Sequence, residues 1–419
     1  MNDFQAFGLS NRLLKSVESL GYTTPTPIQV QAIPLVLAGE DVLGLAQTGT
    51  GKTAAFGLPL IEQLCADRQR PEPKCARSLI LAPTRELVNQ IVDNLRLFSR
   101  HTDLRIATVV GGTSINNQRR NLQRGVDILV ATPGRLLNLI EIKALRIDTV
   151  TFLVLDEADQ MLDIGFIHDL RKIARFVGPA RQTLLFSATM PKAIEDLSRA
   201  YQKDPVRVQV SAEGQTADNV RQSVHFVAQG DKTALLKRLL AEHPDSLSMV
   251  FARTKHGAEK LMKTLVAAGF DARSIHGNKS QGQRDTAIKA FRDGEARVLV
   301  ATDVAARGID IPGVSHVFVY DLPHVAESYV HRIGRTARAG AGGEAIAFCS
   351  PEERKNLRDI EKLIGTRVPV VGGKADDAET APASRPARAG RPSGKRPDSS
   401  MANKQRRPNR RRRAARKAA

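Results

Sequence analysis

The chain has no tryptophan, only four tyrosines and three cysteines, and no long apolar run. The cysteines, Cys65, Cys75 and Cys349, match no zinc-ligand spacing, and so sparse a set fits a reduced, cytosolic setting. Neither an apolar run of about 18 residues nor a signal-peptide pattern occurs, so a membrane-spanning or secreted protein is not expected. The missing tryptophan excludes nothing. What is present is 419 residues, 42% of them hydrophobic, enough for two or three domains with full cores. Net charge is +19, which points to a polyanionic partner, either nucleic acid or an anionic membrane. That charge is uneven. From Gly372 to Ala419, 15 Lys and Arg face 4 Asp and Glu, so +11 of the +19 sits in the last 48 residues. This stretch has no aromatic residue and is rich in Ala, Pro, Gly, Ser and Arg. It cannot bury enough surface to fold and is expected to be a disordered basic tail, with Arg410 to Arg413 concentrating charge against phosphates.

Ahead of the tail, short β-branched runs alternate with amphipathic stretches. In the first half the runs are Val42–Leu45, Ser78–Leu81, Ile106–Val110, Ile128–Val130, Phe152–Leu155 and Thr183–Phe186. The cadence then restarts with Ser223–Val227, Ser248–Phe251, Arg273–Ile275, Val298–Val300, His316–Tyr320 and Ala345–Phe348. This is the βαβ rhythm of parallel sheets with helices on both faces. Between the halves, Ser211 to Ala217 is small, polar and contains glycine, as a linker should be. The expected organisation is a first α/β domain over 1–208, a linker over 209–217, a second α/β domain over 218–370 and the tail over 371–419. The cleft between the domains is the default ligand site.

Chemistry enters at the strand ends. Ala46, Gln47, Thr48, Gly49, Thr50, Gly51, Lys52 and Thr53 follow the first run and precede a helical stretch. Gly49 and Gly51 let successive N–H groups turn toward phosphate oxygens, Lys52 can reach the β- and γ-phosphates, and Thr53 can ligate Mg²⁺. Ala46 stands where the generic loop has glycine, so the match is a variant, but the strand before and helix after it point to a nucleoside triphosphate. The run Thr151–Leu155 ends in Asp156, Glu157, Ala158 and Asp159. In the same sheet as a phosphate loop, Asp156 becomes the magnesium carboxylate and Glu157 the base for water, while Asp159 links the site to its neighbours. Hydrolysis also needs positive charge on the departing phosphoryl. Arg335 and Arg338, three residues apart in the second half, are the candidates.

With these motifs on the page, the sequence resembles the DEAD-box family of RNA helicases in superfamily 2. The resemblance runs from about Asp3 to Pro369, with the motifs in family order and spacing. It implies two tandem RecA-like domains, RNA-stimulated ATP hydrolysis with ATP and Mg²⁺, and local opening of short RNA duplexes. Gly21 to Gln29, with Phe4 upstream, resembles the adenine-reading motif, which implies that Gln29 reads the base while Phe4 and Tyr22 line its pocket. An RNA path is implied through Pro83, Thr84, Arg85, Gly111, Gly112, Thr132, Pro133, Gly134 and Arg135 of the first half. In the second half it continues through Arg253, Thr254, Gly277, Gln281, Arg284 and Thr302. Gly308 and Asp310 fall on the ATP side, Asp310 against the ribose, and Ser187, Ala188, Thr189 and His331 couple the ATP and RNA sites. These residue types hold phosphates and 2′-hydroxyls and carry little base information, so the RNA is expected to be bound without regard to sequence. Ala337 replaces a family glycine between the two arginines, and Val88 replaces a common alanine; no loss of activity is expected from either. The short N-terminus, Leu357 to Ile364 and the basic tail resemble the RhlE-type bacterial subgroup. A cytoplasmic monomer acting on ribosome precursors or beside RNA-decay proteins is compatible with all of this. Two other readings use the same residues: an ATP-gated RNA clamp with slow turnover, and a DNA translocase.

Overall fold

The computed structural model describes residues 3–47, 49–67, 69–210, 220–306, 309, 311, 313–337 and 342–373. Most of the expected linker and nearly all of the expected tail therefore lie outside the described residues. Two parallel sheets organise the rest. The first contains β1 (Val42–Leu45), β2 (Ala76–Leu81), β3 (Ile106–Val109), β4 (Val126–Ala131), β5 (Phe152–Leu155), β6 (Gln182–Ser187) and β7 (Val206–Gln209), in the order β3-β4-β2-β5-β6-β1-β7. The second contains β8 (Val220–Phe226), β9 (Leu247–Phe251), β10 (Ala272–Ile275), β11 (Val298–Ala301), β12 (Val314–Val319), β13 (Gly343–Cys349) and β14 (Val370–Gly372), in the order β10-β11-β9-β12-β13-β8-β14. Counted from its own first strand, each sheet has the same order. The repeated rhythm of the sequence is a repeated topology.

All twelve expected strands are present. The two that the hydrophobic pattern does not announce are β7 and β14, one edge strand of each sheet, which run just past the expected domain ends at Val208 and Val370. Their burial explains the omission: β7 buries only Val208 and β14 buries none of its residues, so neither has the continuous apolar signal of a central strand. The central strands are covered on both faces. In β5, Phe152 and Val154 join one core cluster and Leu153 and Leu155 the cluster on the other face. Val250 and Phe251 of β9 are divided between two clusters in the same way.

This arrangement puts every motif at one end of its sheet. The loops after β1, β2, β3, β4, β5 and β6 carry, in turn, the phosphate loop, Arg85, Gly112, Thr132, Asp156 and Thr189. Those after β9, β10 and β11 carry Arg253, Gly277 and Thr302. All lie at carboxyl ends of parallel strands, where open α/β sheets present ligands.

Candidate active site and nucleic-acid interface

The phosphate loop is shaped by its glycines and braced from the side. Gly49 and Gly51 adopt φ of 88° and 93°, a left-handed region costly for other residues. Helix Lys52–Ala66 begins directly after them. Lys52 is buried and donates to the Ala46 carbonyl at 3.0 Å, so its ammonium is folded back over the loop. Thr50 Oγ1 closes the turn onto the Gln47 carbonyl at 2.8 Å, and Thr53 is half-buried at the start of the helix.

The brace comes from helix Pro27–Leu37. Gln29 Oε1 accepts from the Thr26 N–H at 2.9 Å in a capping box, while its Nε2 donates to the Gly51 carbonyl at 3.1 Å. Thr26 Oγ1 donates to the Thr50 carbonyl at 2.8 Å. Gln29 thus supports the phosphate loop, a second task that the base-reading expectation did not contain. The Thr26-x-x-Gln29 spacing ahead of an apolar run was the available signal. Phe4 is buried and stacks on Tyr22, with ring centroids 6.3 Å apart, so Tyr22 presents the exposed aromatic face.

Asp156, Glu157 and Asp159 are all buried at the end of β5. Glu157 sits in the left-handed region at φ 52° and ψ 53°, where it begins helix Ala158–Ile164. A non-glycine residue held there is the kind of strain that collects at functional sites. Asp156 Oδ1 accepts the Glu157 N–H at 3.0 Å. Burial pushes the Asp156 carboxyl well above the usual carboxylate range; Lys52 pulls it down, and Glu157 and Asp159 add to the rise. Packed carboxylates short of positive charge are a fitting donor set for a hard divalent cation such as Mg²⁺. Asp159 faces elsewhere. Its Oδ2 accepts from the N–H groups of Ala188 and Thr189 at 3.0 and 3.1 Å and from Thr189 Oγ1 at 3.3 Å, and His331 Nε2 of the second domain lies 4.0 Å away. Ser187 Oγ donates to the Thr189 carbonyl at 2.8 Å, holding the turn in shape.

The second domain meets this surface with helix Ala326–Ile333 and the residues after it. Arg335 is 4% exposed; its Nη1 donates to the Ile309 carbonyl at 2.8 Å and its Nε to the His331 carbonyl at 3.2 Å. With Ala46, Gln47, Asp159, Thr189 and His331 it lines a cavity of about 520 Å³ between the two sheets. Arg332, buried beside it, forks onto Asp303 at 2.6 and 2.8 Å. Thr48, Gly308, Asp310 and Arg338 lie outside the described residues. Ala337 adopts φ 54°, in the left-handed region that favours glycine. A Cβ in that region costs about 1–2 kcal/mol, offset in part by the entropy that glycine adds to the unfolded chain. Ala337→Gly is therefore expected to stabilise the second domain by up to about 1 kcal/mol, raising its thermal midpoint by about 2–4 °C. A lowered midpoint in differential scanning calorimetry would count against the strain.

A second set of contacts crosses the domains further along the sheet, at the end of β2. Arg85 Nη1 donates to Gln281 Oε1 at 3.1 Å, and Glu86 Oε1 accepts from Gln281 Nε2 at 3.1 Å and Arg284 Nη2 at 3.0 Å. Arg284 also donates to the Ala305 carbonyl at 3.2 Å, near Thr302. Gly112 lets the Arg85 guanidinium pass, since a Cβ there would fall 2.0 Å from Nη1, whereas at Gly111 it would stand 3.0 Å from Nη2. Arg135 donates to the Thr113 carbonyl at 3.0 Å. Thr84, Thr132 and Thr254 are the N-caps of helices Arg85–Phe98, Pro133–Glu141 and Lys255–Val266, so three helix N-termini open onto the same end of the sheets. Pro133 and Gly134 form the first turn of the second of these.

Arg253 is held by Glu353, a residue that no sequence motif singles out, and its N–H donates to Asp321 at 2.9 Å. Beneath it lies Lys232, fully buried, which reaches Glu353 at 2.6 Å, Asp321 at 3.4 Å and the Tyr320 carbonyl at 2.8 Å. Topology makes this lysine informative. Lys232 opens the helix after β8 as Lys52 opens the helix after β1, and Asp321 lies just beyond β12, the counterpart of β5. Ala228, Gln229, Gly230, Asp231, Lys232 and Thr233 form a shortened echo of Ala46 to Thr53. In the second domain, the Glu353 carboxylate meets the lysine that would otherwise meet phosphate.

A phosphate loop and buried acids on one sheet, faced by an arginine from a second sheet of equal topology, define a nucleotide-driven engine of two RecA-like domains. The DEAD/DEAH box helicase family model matches residues 26–197, and the helicase conserved C-terminal domain matches residues 231–340. The DEAD-box ATP-dependent RNA helicase CshA of Bacillus cereus is 44% identical over 362 residues, which are 86% of this chain and 68% of that protein. The chain belongs to the DEAD-box helicase family. Among solved structures, Saccharomyces cerevisiae Dbp5 bound to RNA and ADP BeF3 is 32% identical with a TM-score of 0.80, covering 89% of this chain and 96% of that one. A DEAD box protein from Methanococcus jannaschii is 38% identical, covers 87% and 97%, and has a TM-score of 0.51.

Proposed function

We infer that this chain is an ATP-dependent RNA helicase that hydrolyses ATP and locally opens short RNA duplexes. The observation that carries the reading is the composite cavity, in which Arg335 and His331 of the second domain stand opposite Ala46, Gln47 and Asp159 of the first. In this reading the phosphate loop with Lys52 holds the β- and γ-phosphates, and Gln29 with Tyr22 and Phe4 receives the base. Glu157 takes the proton from the attacking water, and Arg335 with Arg338 neutralises the γ-phosphoryl as it departs. Thr53 and Asp156 would hold Mg²⁺, which supplies charge neutralisation at the phosphates. Asp159, shared between Thr189 and His331, passes the state of the nucleotide to the domain contact.

RNA lies across Arg85, Gly112, Thr132 and Arg135 on one side and Arg253, Gln281, Arg284 and Thr302 on the other, held by its backbone. Dbp5 was solved with RNA bound and Mss116p with single-stranded RNA, which supports RNA as the ligand of the corresponding face. Closure bends one strand out of A-form geometry. With stacking of about 1.4 kcal/mol per step in DNA, opening about five steps costs about 7 kcal/mol, so one closure suits short duplexes. The test is ATP hydrolysis with RNA or DNA of equal length, paired with single-turnover strand release from short duplexes. Stimulation by RNA alone and release of short strands are expected. Equal stimulation by DNA, or hydrolysis without release, would overturn the reading.

The domain limits at 1–208, 209–217, 218–370 and 371–419 are part of the proposal. So is a cytoplasmic setting, supported by three unbridged cysteines; among the described residues no helix is long and apolar enough to cross a membrane. The RhlE-type affinity rests on helix Arg354–Ile364 and the basic composition after it, whereas the Bacillus relative carries the name CshA. Deleting Gly372–Ala419 is expected to weaken RNA binding and flatten its salt dependence, leaving ATP binding intact. The slope should fall by about 0.7 for each phosphate that the tail neutralises. RNA titrations at several salt concentrations read this directly, and an unchanged slope would make the tail a solubilising extension.

A further inference from the structure

At the opposite end of the second sheet, where its strands begin, three metal-binding side chains converge. His316 of β12 and Glu344 of β13 are register partners on adjacent strands. His243 caps the C-terminus of helix Lys232–Glu242 beside them, and one ligand atom from each of the three lies within 4.8 Å of the others. We propose that His243, His316 and Glu344 form a binding site for a divalent transition metal of the zinc class, separate from the nucleotide and RNA surfaces.

The geometry carries the case. Ser315 Oγ lies 3.4 Å from the Leu247 carbonyl, to which it donates, and 2.9 Å from His316 Nδ1. A hydroxyl whose proton is given to the carbonyl accepts from Nδ1–H, which turns the Nε2 lone pair toward Glu344. Nε2 and Glu344 Oε2 are 3.7 Å apart, too far for a hydrogen bond. Two ligands on one tetrahedral zinc, each at about 2.05 Å, stand about 3.3 Å from one another, so a small inward shift completes the pair. The other Glu344 oxygen is held by Arg221 at 3.1 Å, which orients Oε2.

The imidazoles of His243 and His316 stack with centroids 4.3 Å apart and planes tilted by 31°. The carbonyls at the end of an 11-residue helix add negative potential where the cation would sit. Two imidazoles and one carboxylate favour zinc, cobalt, nickel or copper over magnesium, with water in the remaining position. The bound ion would join the end of a helix to two central strands, far along the sheet from the ATP-binding ends.

The test uses the full chain without an affinity tag, stripped of metal and titrated with Zn²⁺ in excess Mg²⁺, which saturates hard-oxygen sites without competing for imidazole. Calorimetry is expected to show one saturable equivalent. His243→Gln and Glu344→Gln, both at half-buried positions, should each weaken it by about tenfold or more. Co²⁺ should give the visible bands of nitrogen and oxygen coordination in the parent protein and lose them in His243→Gln. Zn²⁺ should raise the thermal midpoint of the parent and leave that of either variant unmoved. Equal Zn²⁺ affinity in the parent and both variants, or no saturable binding in the parent, overturns the proposal.

Discussion

Glu157→Gln is expected to bind ATP and RNA as the parent does and to hydrolyse ATP about 10²–10⁴-fold more slowly, the usual contribution of a general base. That corresponds to about 2.7–5.4 kcal/mol of barrier. The carboxylate is buried at the tip of β5 and held in a left-handed turn, so its direction is set by the backbone and an amide of the same shape should keep the fold. What the amide cannot do is accept a proton. Removing one of three crowded acids also relieves repulsion on Asp156, so ATP affinity should hold or tighten. Single-turnover phosphate release, beside equilibrium binding of a fluorescent nucleotide, separates the two effects. Near-normal turnover would remove Glu157 from the role of base.

Arg335→Ala should be at least as damaging, costing about 10³–10⁵ in rate, or about 4–7 kcal/mol. The guanidinium acts on charge that develops only as the phosphoryl departs, so the loss should fall on kcat with little change in KM for ATP. The Ile309 and His331 carbonyls already hold it in place, which means that no reorganisation is needed when the cleft closes. Arg335→Lys should recover little, because a point charge on a flexible stem does not reproduce the rigid fork. A rise in KM at constant kcat would reassign Arg335 to ground-state binding. Circular dichroism and the thermal midpoint of the second domain would exclude loss of fold as the cause.

What was legible in the sequence divides along a physical line. Central strands announce themselves because burial on both faces demands continuous β-branched runs, whereas β7 and β14 are almost wholly exposed and carry little of that signal. Lys52, Asp156 and Glu157 could be placed because their chemistry is tied to a strand end and a glycine turn within a few residues. Pairings that join distant segments could not. Glu86 meets Arg284 from nearly two hundred residues away, and Glu353 meets Arg253 and Lys232 across about a hundred, with nothing local to announce either. The left-handed turns at Glu157 and Ala337 were equally hidden, since neither residue type advertises a positive φ.

The carboxylate of Glu353 on Lys232 bears on how many such domains can act together. One domain lending an arginine to its neighbour's phosphates is a head-to-tail contact, and head-to-tail contacts repeat until they close a ring or run on as a filament. Here the second domain offers its arginine forward, but its own lysine is already neutralised from within. With Lys232 taken up by Glu353, the two domains hold one phosphate loop between them, and each closure acts on a single nucleotide.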